Sequence, residues 1–119
     1  MDQAAFVELI RQLVVEAAAS GTIAQIAKPS GRNILEERKQ RAVWFNGLSA
    51  DERANVEFAV TDAARVTAFS LFCVLDGARA IENGPSRGHF ELRYITAASD
   101  TLLASSAADM PTPPLHELI

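Results

Sequence analysis

The sequence predicts an α+β protein that is mostly helical, with three helices, the third long and central, followed by a C-terminal β-hairpin. Alanine, which has the highest helix propensity of any residue, occurs 21 times among the 119 residues. Apolar residues recur at helical spacing as far as about residue 82. Beyond that point the pattern changes to period two, which is typical of a half-buried strand. We expect residues 1–119 to form a single domain.

The first helix is predicted over about residues 2–19. Asp2 precedes it and suits the capping position, where a carboxylate also favours the positive end of the helix dipole. Gly21 is the expected stop. The apolar side chains of this segment recur every three or four residues: Phe6, Ile10, Leu13, Val14 and Ala17.

The second helix is predicted over about residues 33–46 and the third over about 50–82. Asn33 is the expected cap of the second helix. Ser49 and Glu52 form a capping box, which is the strongest local signal in the sequence. The third helix spans roughly 50 Å if it is straight. Asn83-Gly84-Pro85 is the expected terminator.

The second half of the third helix is apolar nearly all round, so we expect it to be central in the fold. The five residues predicted to be buried are Phe69, Leu71, Phe72, Val74 and Leu75. If so, Leu71→Ala costs about 2–5 kcal/mol of stability.

The hairpin is predicted over about residues 88–104, with an irregular tail at 105–119. Phe90, Leu92 and Tyr94 alternate along the first strand and form the face expected to pack on the helices. His89, Glu91 and Arg93 point the other way. Leu115, Leu118 and Ile119 are the residues expected to hold the tail against the body.

Composition excludes several classes of protein. The net charge is −4, so the chain lacks the basic surface that general nucleic-acid binding requires. A single cysteine, Cys73, excludes an intramolecular disulfide, and its apolar neighbours predict a buried thiol. The most apolar run, Val66–Leu75, is far short of the roughly 20 residues of a membrane span. The N-terminus has no secretory pattern, so we expect a cytoplasmic protein without a membrane partner.

No catalytic motif is visible in the sequence. The glycine-rich nucleotide loops, the serine elbow of hydrolases and the paired histidines of zinc proteases are all missing. The two histidines, His89 and His116, lack the spacing of metal ligands. We therefore expect no catalytic residue, no metal and no cofactor.

A charged stripe is the candidate binding site. Asp62, Arg65, Asp76 and Arg79 form two i,i+3 pairs on one side of the predicted third helix, with the rings of Phe69 and Phe72 between them. Together with Glu91 and Arg93 on the hairpin, these four residues are the predicted partner-binding set. The alternative is that the pairs are local support, or that Asp76 or Arg79 braces the hairpin.

The second half of the chain resembles a family of small bacterial proteins. The segments that carry the resemblance are Phe69-Ser70-Leu71-Phe72-Cys73-Val74-Leu75-Asp76-Gly77, Gly88-His89-Phe90-Glu91-Leu92-Arg93-Tyr94, Leu102-Leu103 and Leu115-His116-Glu117-Leu118-Ile119. They are similar to immunity proteins encoded beside secreted polymorphic toxins. The similarity covers about half the chain, with no contribution from residues before Ser49. It implies a protein that binds and blocks a cognate toxin in the cytoplasm, and it assigns no catalytic residue.

The predicted function is therefore a non-enzymatic protein-binding module, an immunity protein that neutralises a cognate bacterial toxin. An acidic inhibitor associates quickly with a basic toxin through electrostatic steering. We expect a monomer or weak homodimer. Two alternatives remain: a small hydrolase or ligand-binding enzyme that uses the charged stripe, and a homo-oligomeric structural protein whose third helix packs on a symmetry mate.

Overall fold

The computed structural model describes residues 1–107 and 111–119, and it has the predicted α+β architecture. Three helical stretches precede a two-stranded antiparallel hairpin, so the fold-class prediction is confirmed. The elements are α1 (Gln3–Ile10), a π-helical segment (Arg11–Glu16), α2 (Ala17–Ala27), α3 (Glu36–Asn46), α4 (Ala50–Leu75), β1 (Glu91–Ile95), β2 (Asp100–Ser105) and a 3₁₀ turn (Leu115–Glu117).

The residues group into two compact units. The discontinuous unit consists of Met1–Arg11 and Arg65–Ile119, and the helical unit is Gln12–Ala64. The core of the discontinuous unit is formed by Val7, Phe72, Ala104 and Leu115. The buried apolar residues of the helical unit are Val15, Ala19 and Phe45.

The first helical stretch begins as predicted but continues further. The Asp2 carboxylate accepts a hydrogen bond from the Ala5 backbone N–H at 2.8 Å, which confirms the cap. The prediction that the helix ends near Ala19 is wrong, because α2 continues through Gly21 to Ala27. A glycine inside a helix costs only about 1 kcal/mol relative to alanine. Burial of apolar side chains beyond Gly21, such as the half-buried Ile23 and Ile26, is enough to offset that cost.

The second helix starts three residues later than predicted. Asn33 has a φ of 54°, in the left-handed region, so it lies in the turn that precedes the helix and does not cap it. Leu35 occupies the capping position without a side-chain hydrogen bond. The contacts that stabilise α3 lie at its C-terminal end. Phe45 is buried there, and the Asn46 side chain donates a hydrogen bond to the Ala27 carbonyl at 2.8 Å.

The start of the third helix is confirmed and its end is not. Ser49 N–H donates to Glu52 Oε1 at 3.0 Å, and Glu52 N–H donates to Ser49 Oγ at 3.2 Å, which completes the predicted capping box. The helix ends at Leu75, short of the predicted residue 82. Gly77 ends it with a φ of +78°, and a Cβ there would lie 2.9 Å from the Ser106 carbonyl oxygen.

Burial in the second half of α4 is one-sided. Phe72 is buried, and Phe69, Val74 and Leu75 are half-buried. Leu71 is 57% exposed, so its predicted burial is wrong. The core of the discontinuous unit contacts one stripe of the helix, and Leu71 lies outside that stripe. Cys73 is buried, as predicted.

By length and composition, α4 is apolar enough to cross a membrane. An 18-residue window has a mean hydropathy of 1.6, and 17% of that window is buried. One helix of this kind is weak evidence for a span, because core helices of other proteins and signal sequences pass the same test.

The hairpin buries its second strand more than its first. Glu91 pairs with Ser105 and Ile95 with Asp100, with a bulge opposite Leu92 and Arg93. The end of β2 is fully buried at Leu103, Ala104 and Ser105. The predicted packing of β1 is confirmed for Leu92, which contacts the core, whereas Phe90 and Tyr94 are 44% and 37% exposed.

The C-terminal segment is packed rather than loose. Leu115 is fully buried, and Leu118 and Ile119 pack on the core, as predicted. The Gln3 side chain donates to the carbonyls of Leu103 and Pro113, at 3.0 and 2.8 Å. Within the predicted irregular tail, positions 108–110 lie outside the described residues, and 115–117 form the 3₁₀ turn.

Candidate functional site

The charged stripe predicted on the third helix is not a single helix face. Because α4 ends at Leu75, Asp76 and Arg79 lie beyond it. Asp62 belongs to the helical unit, whereas Arg65, Asp76 and Arg79 belong to the discontinuous unit. Asp62 and Arg65 each interact with other groups, so neither residue is without a partner.

Asp76 is part of the interior and is unavailable to a partner. Its side chain is 1% exposed. Its Oδ2 accepts a hydrogen bond from the His116 backbone N–H at 2.9 Å and lies 3.0 Å from His116 Nδ1. The His116 ring also meets the Phe69 ring edge-on, with centroids 5.9 Å apart. The inclusion of Asp76 in the binding set was therefore wrong. The alternative, that Asp76 braces the hairpin, is not what the structure shows either, because the partner of Asp76 is His116 in the C-terminal segment.

Arg79 remains exposed and lines a small cavity. The cavity has a volume of about 80 Å³ and is also lined by Glu82, Arg87 and Phe90. The Glu82 carboxylate accepts a hydrogen bond from the Gly88 backbone N–H at 3.1 Å. This bond joins the two ends of the loop that carries Arg87, and Glu82 and Gly88 both line the cavity.

The outer face of the hairpin carries an ordered network of charges. Arg93 Nε donates to Glu91 Oε2 at 2.9 Å, and Arg93 Nη1 donates to Asp100 Oδ1 at 3.2 Å. His89 Nε2 lies 3.5 Å from Glu91 Oε1. The hydrogen bond from Arg93 is the main reason that the pKa of Glu91 is lowered, and the same contact raises the pKa of Arg93. Both groups therefore stay charged over a wider pH range.

An apolar side chain shares this face with the charges. Residues 91, 93 and 95 alternate to the same side of β1, and Ile95 is 67% exposed. Asp100 lies opposite Ile95 in the register of the hairpin, which brings its carboxylate to Arg93. We define the hairpin face as Glu91, Arg93, Ile95 and Asp100.

Two of the four residues of this face, Glu91 and Arg93, were predicted from the sequence. The alternation of the first strand identified these two, but Ile95 and Asp100 were not in the predicted partner-binding set. The signal that would have found them is the pairing register. A four-residue loop between Ile95 and Asp100 places these two residues opposite each other.

Metal-binding clusters are not found in the part of the chain that the structure describes: no three histidine, cysteine or carboxylate side chains come together there. His89 and His116 lie in different settings, one beside Glu91 on the hairpin and one on the buried Asp76. What the hairpin face offers chemically is a fixed set of charges beside an exposed apolar side chain.

Comparison of the chain with protein-family models, with curated proteins and with solved structures gives no match.

Proposed function

We propose that this chain is a non-enzymatic protein-binding module, and that it acts in the cytoplasm as an immunity protein that binds and neutralises a cognate bacterial toxin. The observation that carries the proposal is the hairpin face, where Ile95 is 67% exposed beside the ion-paired Glu91, Arg93 and Asp100. The immunity role rests on the resemblance of the second half of the chain.

The hairpin face suits protein recognition because its polar groups are already held in place. Arg93 is fixed between two carboxylates, so less side-chain freedom is lost when a partner arrives. Ile95 supplies apolar contact area next to these charges, the usual arrangement of a protein interface. The described sheet has two strands, so β1 also offers an edge to which a partner strand can be added.

The charge of this face favours a basic partner. Two carboxylates and one guanidinium leave Glu91, Arg93 and Asp100 with a net charge of −1, and the whole chain carries −4. Lysine and arginine side chains on the toxin are therefore attracted to the face, and attraction of this kind increases the association rate. Asp76 is no longer part of the proposed contact set, because its carboxylate is buried.

The same burial weighs against the enzyme alternative. The enzyme alternative uses Asp62, Arg65, Asp76 and Arg79, and a role for Asp76 in catalysis requires its carboxylate to contact substrate. The Asp76 side chain is 1% exposed and already bound to His116.

Calorimetric titration with the toxin encoded beside this chain's gene tests the proposal. We expect Ile95→Asp to weaken binding by at least about tenfold. The change replaces an apolar side chain at the centre of the proposed interface with a charged one, and central residues contribute most of the binding free energy. Binding should also weaken as salt rises, since exposed charges are screened. The control is Glu37→Gln, a change to an exposed carboxylate of α3 in the helical unit, which should leave the affinity unchanged. Equal affinities for wild type and Ile95→Asp would show that the face is not the binding surface.

A further inference from the structure

The outer edge of β1, on the side away from β2, presents the backbone groups of three residues. At one end of the strand the Thr96 N–H donates to the Ser99 carbonyl at 2.8 Å. At the other end the Ser106 N–H donates to the Phe90 carbonyl at 3.0 Å. Backbone groups alternate in direction along a strand, so even-numbered residues of β1 bond to β2 and odd-numbered residues point outward. The bulge does not change this alternation, because its extra residue is in β2. The outward N–H and C=O groups are those of Glu91, Arg93 and Ile95.

This outer edge is uncovered in the part of the chain that the structure describes. No hydrogen bond to another described residue uses the backbone of the three outward-facing residues. Four of the five residues of β1 are exposed. The end of β2 is different, because it is buried and the Gln3 side chain donates to the Leu103 carbonyl at 3.0 Å. An uncovered edge can pair with a further strand, so β1 is the side of the hairpin to which another chain can add.

The charges of β1 are complementary to those of a second copy that runs antiparallel to it. Only odd-numbered residues have outward groups, so an odd-numbered residue must lie opposite an odd-numbered one. In one register Glu91 lies opposite Arg93 of the second copy, and the two-fold axis repeats this pair of unlike charges. A shift of two residues in either direction places Arg93 opposite Arg93 or Glu91 opposite Glu91. Like charges directly opposite each other are destabilising, so the charges favour the first register.

The other face of the strand favours the same register. Phe90 then lies opposite Tyr94 of the second copy, and Leu92 lies opposite Leu92 at the two-fold axis. Phe90 is 44% exposed and Tyr94 is 37% exposed, so both rings have surface left to bury. Aromatic pairs at opposite positions stabilise antiparallel strands. Unlike charges on one face and aromatic rings on the other therefore meet in a single register.

We propose that two copies of the chain pair through the outer edge of β1 as antiparallel strands, so that the two hairpins form one four-stranded sheet about a two-fold axis. A second copy is the occupant because β1 itself supplies the matching charge and ring at each position. The contact is one strand of five residues, a small interface, so the dimer is weak and forms at high chain concentration. The inference does not depend on the proposed toxin, since it concerns the chain alone.

Sedimentation equilibrium of the full chain from about 10 µM to about 1 mM tests the dimer, since self-association depends on chain concentration. The mass should rise from 12.8 kDa toward twice that value. Arg93→Glu and Glu91→Arg should each raise the dissociation constant at least about tenfold, because each places like charges opposite. A mixture of these two variants should associate again, because every opposite pair then has unlike charges. Glu37→Arg, the same charge change at an exposed residue of the helical unit, is the matched control and should keep the wild-type dissociation constant.

Disulfide trapping tests the register itself. Cys73 is buried, so an introduced cysteine is the reactive one. Positions 90 and 94 of the two copies lie directly opposite in the proposed register, at the Cα separation of about 4.5 Å that a disulfide can bridge. Mild oxidation of a mixture of Phe90→Cys and Tyr94→Cys chains should therefore give a product of two-chain mass. Each variant alone is the matched control, because its two cysteines are four residues apart along the pair, or about 14 Å, too far to bridge.

Three results would overturn the proposal. The first is a wild-type chain whose mass stays at 12.8 kDa up to about 1 mM. The second is a mixture of the two charge variants that associates no better than either variant alone. The third is cross-linking in the cysteine mixture that does not exceed that of either cysteine variant alone. If a charge variant fails to fold, as judged by circular dichroism, the wild-type mass and the trapping experiment decide.

Discussion

Asp76 and His116 lie 40 residues apart in sequence and are joined at two points by one carboxylate oxygen. Asp76 Oδ2 lies 2.9 Å from the His116 backbone nitrogen and 3.0 Å from Nδ1 of its ring. Since Asp76 follows directly after α4, this pair fixes the C-terminal segment to the end of that helix. A residue that looked like part of a binding stripe is therefore a structural anchor.

Removing this anchor should destabilise the protein. We expect Asp76→Ala to lower the free energy of unfolding by about 1.5–3 kcal/mol, because hydrogen bonds to a charged group are lost. Asp76→Asn should cost less, because an amide oxygen still accepts from the His116 backbone. Urea denaturation measures both variants, with Glu37→Gln at an exposed site as the control, expected within about 0.5 kcal/mol of wild type. If Asp76→Ala is as stable as the control, the anchor contributes nothing.

Two neighbouring residues of α4 should respond in opposite ways to truncation. Phe72 is 3% exposed and contacts the Phe6 ring at a centroid distance of 6.1 Å, so Phe72→Ala should cost about 3–5 kcal/mol. Leu71 is 57% exposed, so Leu71→Ala should cost less than about 0.5 kcal/mol. Thermal and urea unfolding of the pair measure the contrast. A costly Leu71→Ala would mean that another molecule covers this side of α4.

Two glycines should give alanine variants of opposite sign. Gly77→Ala should destabilise by about 1–3 kcal/mol, because its φ is +78° and its Cβ would lie 2.9 Å from the Ser106 carbonyl. Gly21 lies inside α2, and nothing lies within 4 Å of its Cβ position, so Gly21→Ala should stabilise by about 0.5–1 kcal/mol. The melting temperatures of the two variants should therefore fall on either side of wild type, and a stabilised Gly77→Ala would contradict the described helix end.

The capping box predicts a specific pH dependence. The hydrogen bond from the Ser49 backbone N–H is the main cause that lowers the pKa of Glu52 from its usual 4.5. Because the folded-state pKa is depressed, the stabilisation is present above pH 4.5 and is lost as pH falls through the folded pKa. Glu52→Gln removes this contribution, so its melting temperature should fall less steeply than that of wild type below pH 4.5. Identical profiles would show that the contact is not formed in solution.

In Ser49→Ala, only the side-chain half of the capping box is lost. The pKa of Glu52, followed by NMR titration, should therefore rise part of the way back toward 4.5, because the backbone contact remains. Loss of the N-cap oxygen should also lower stability by about 1 kcal/mol. An unchanged Glu52 titration in this variant would place the pKa shift entirely on the backbone contact.

Local signals in the sequence predicted the fold well, and distant contacts explain where the prediction failed. The Asp2 cap and the Ser49–Glu52 capping box act within four residues, so the sequence shows them directly. The end of α4 was missed because apolar spacing continues to Ile81. The helix ends just before Gly77, a glycine with a positive φ and a local signal that the continuing apolar spacing outweighed, and Ser106, 29 residues away, packs against this glycine.

The residues of the candidate site also fall into those that a local pattern predicts and those that depend on distant contacts. Strand alternation identified Glu91 and Arg93, because period two is a local property. Asp100 needed the pairing register, and the partner of Asp76 needed the position of His116 in three dimensions. The exposure of Phe58, 71%, was also missed, because apolar spacing in a sequence does not show which side of a helix a neighbouring helix covers.

The contacts of the N-terminal helix with the C-terminal segment have a kinetic consequence. Gln3 reaches the carbonyls of Leu103 and Pro113, which are 100 and 110 residues away, and Arg11 reaches the Leu118 carbonyl across 107 residues. Helix-rich domains usually fold fast because their contacts are local. Here the two stretches of one unit are separated by the whole of another, so most of the chain must be closed into a loop before the core gains stability. Refolding of this chain is therefore expected to be slower than that of a helical bundle of the same length whose contacts are all local.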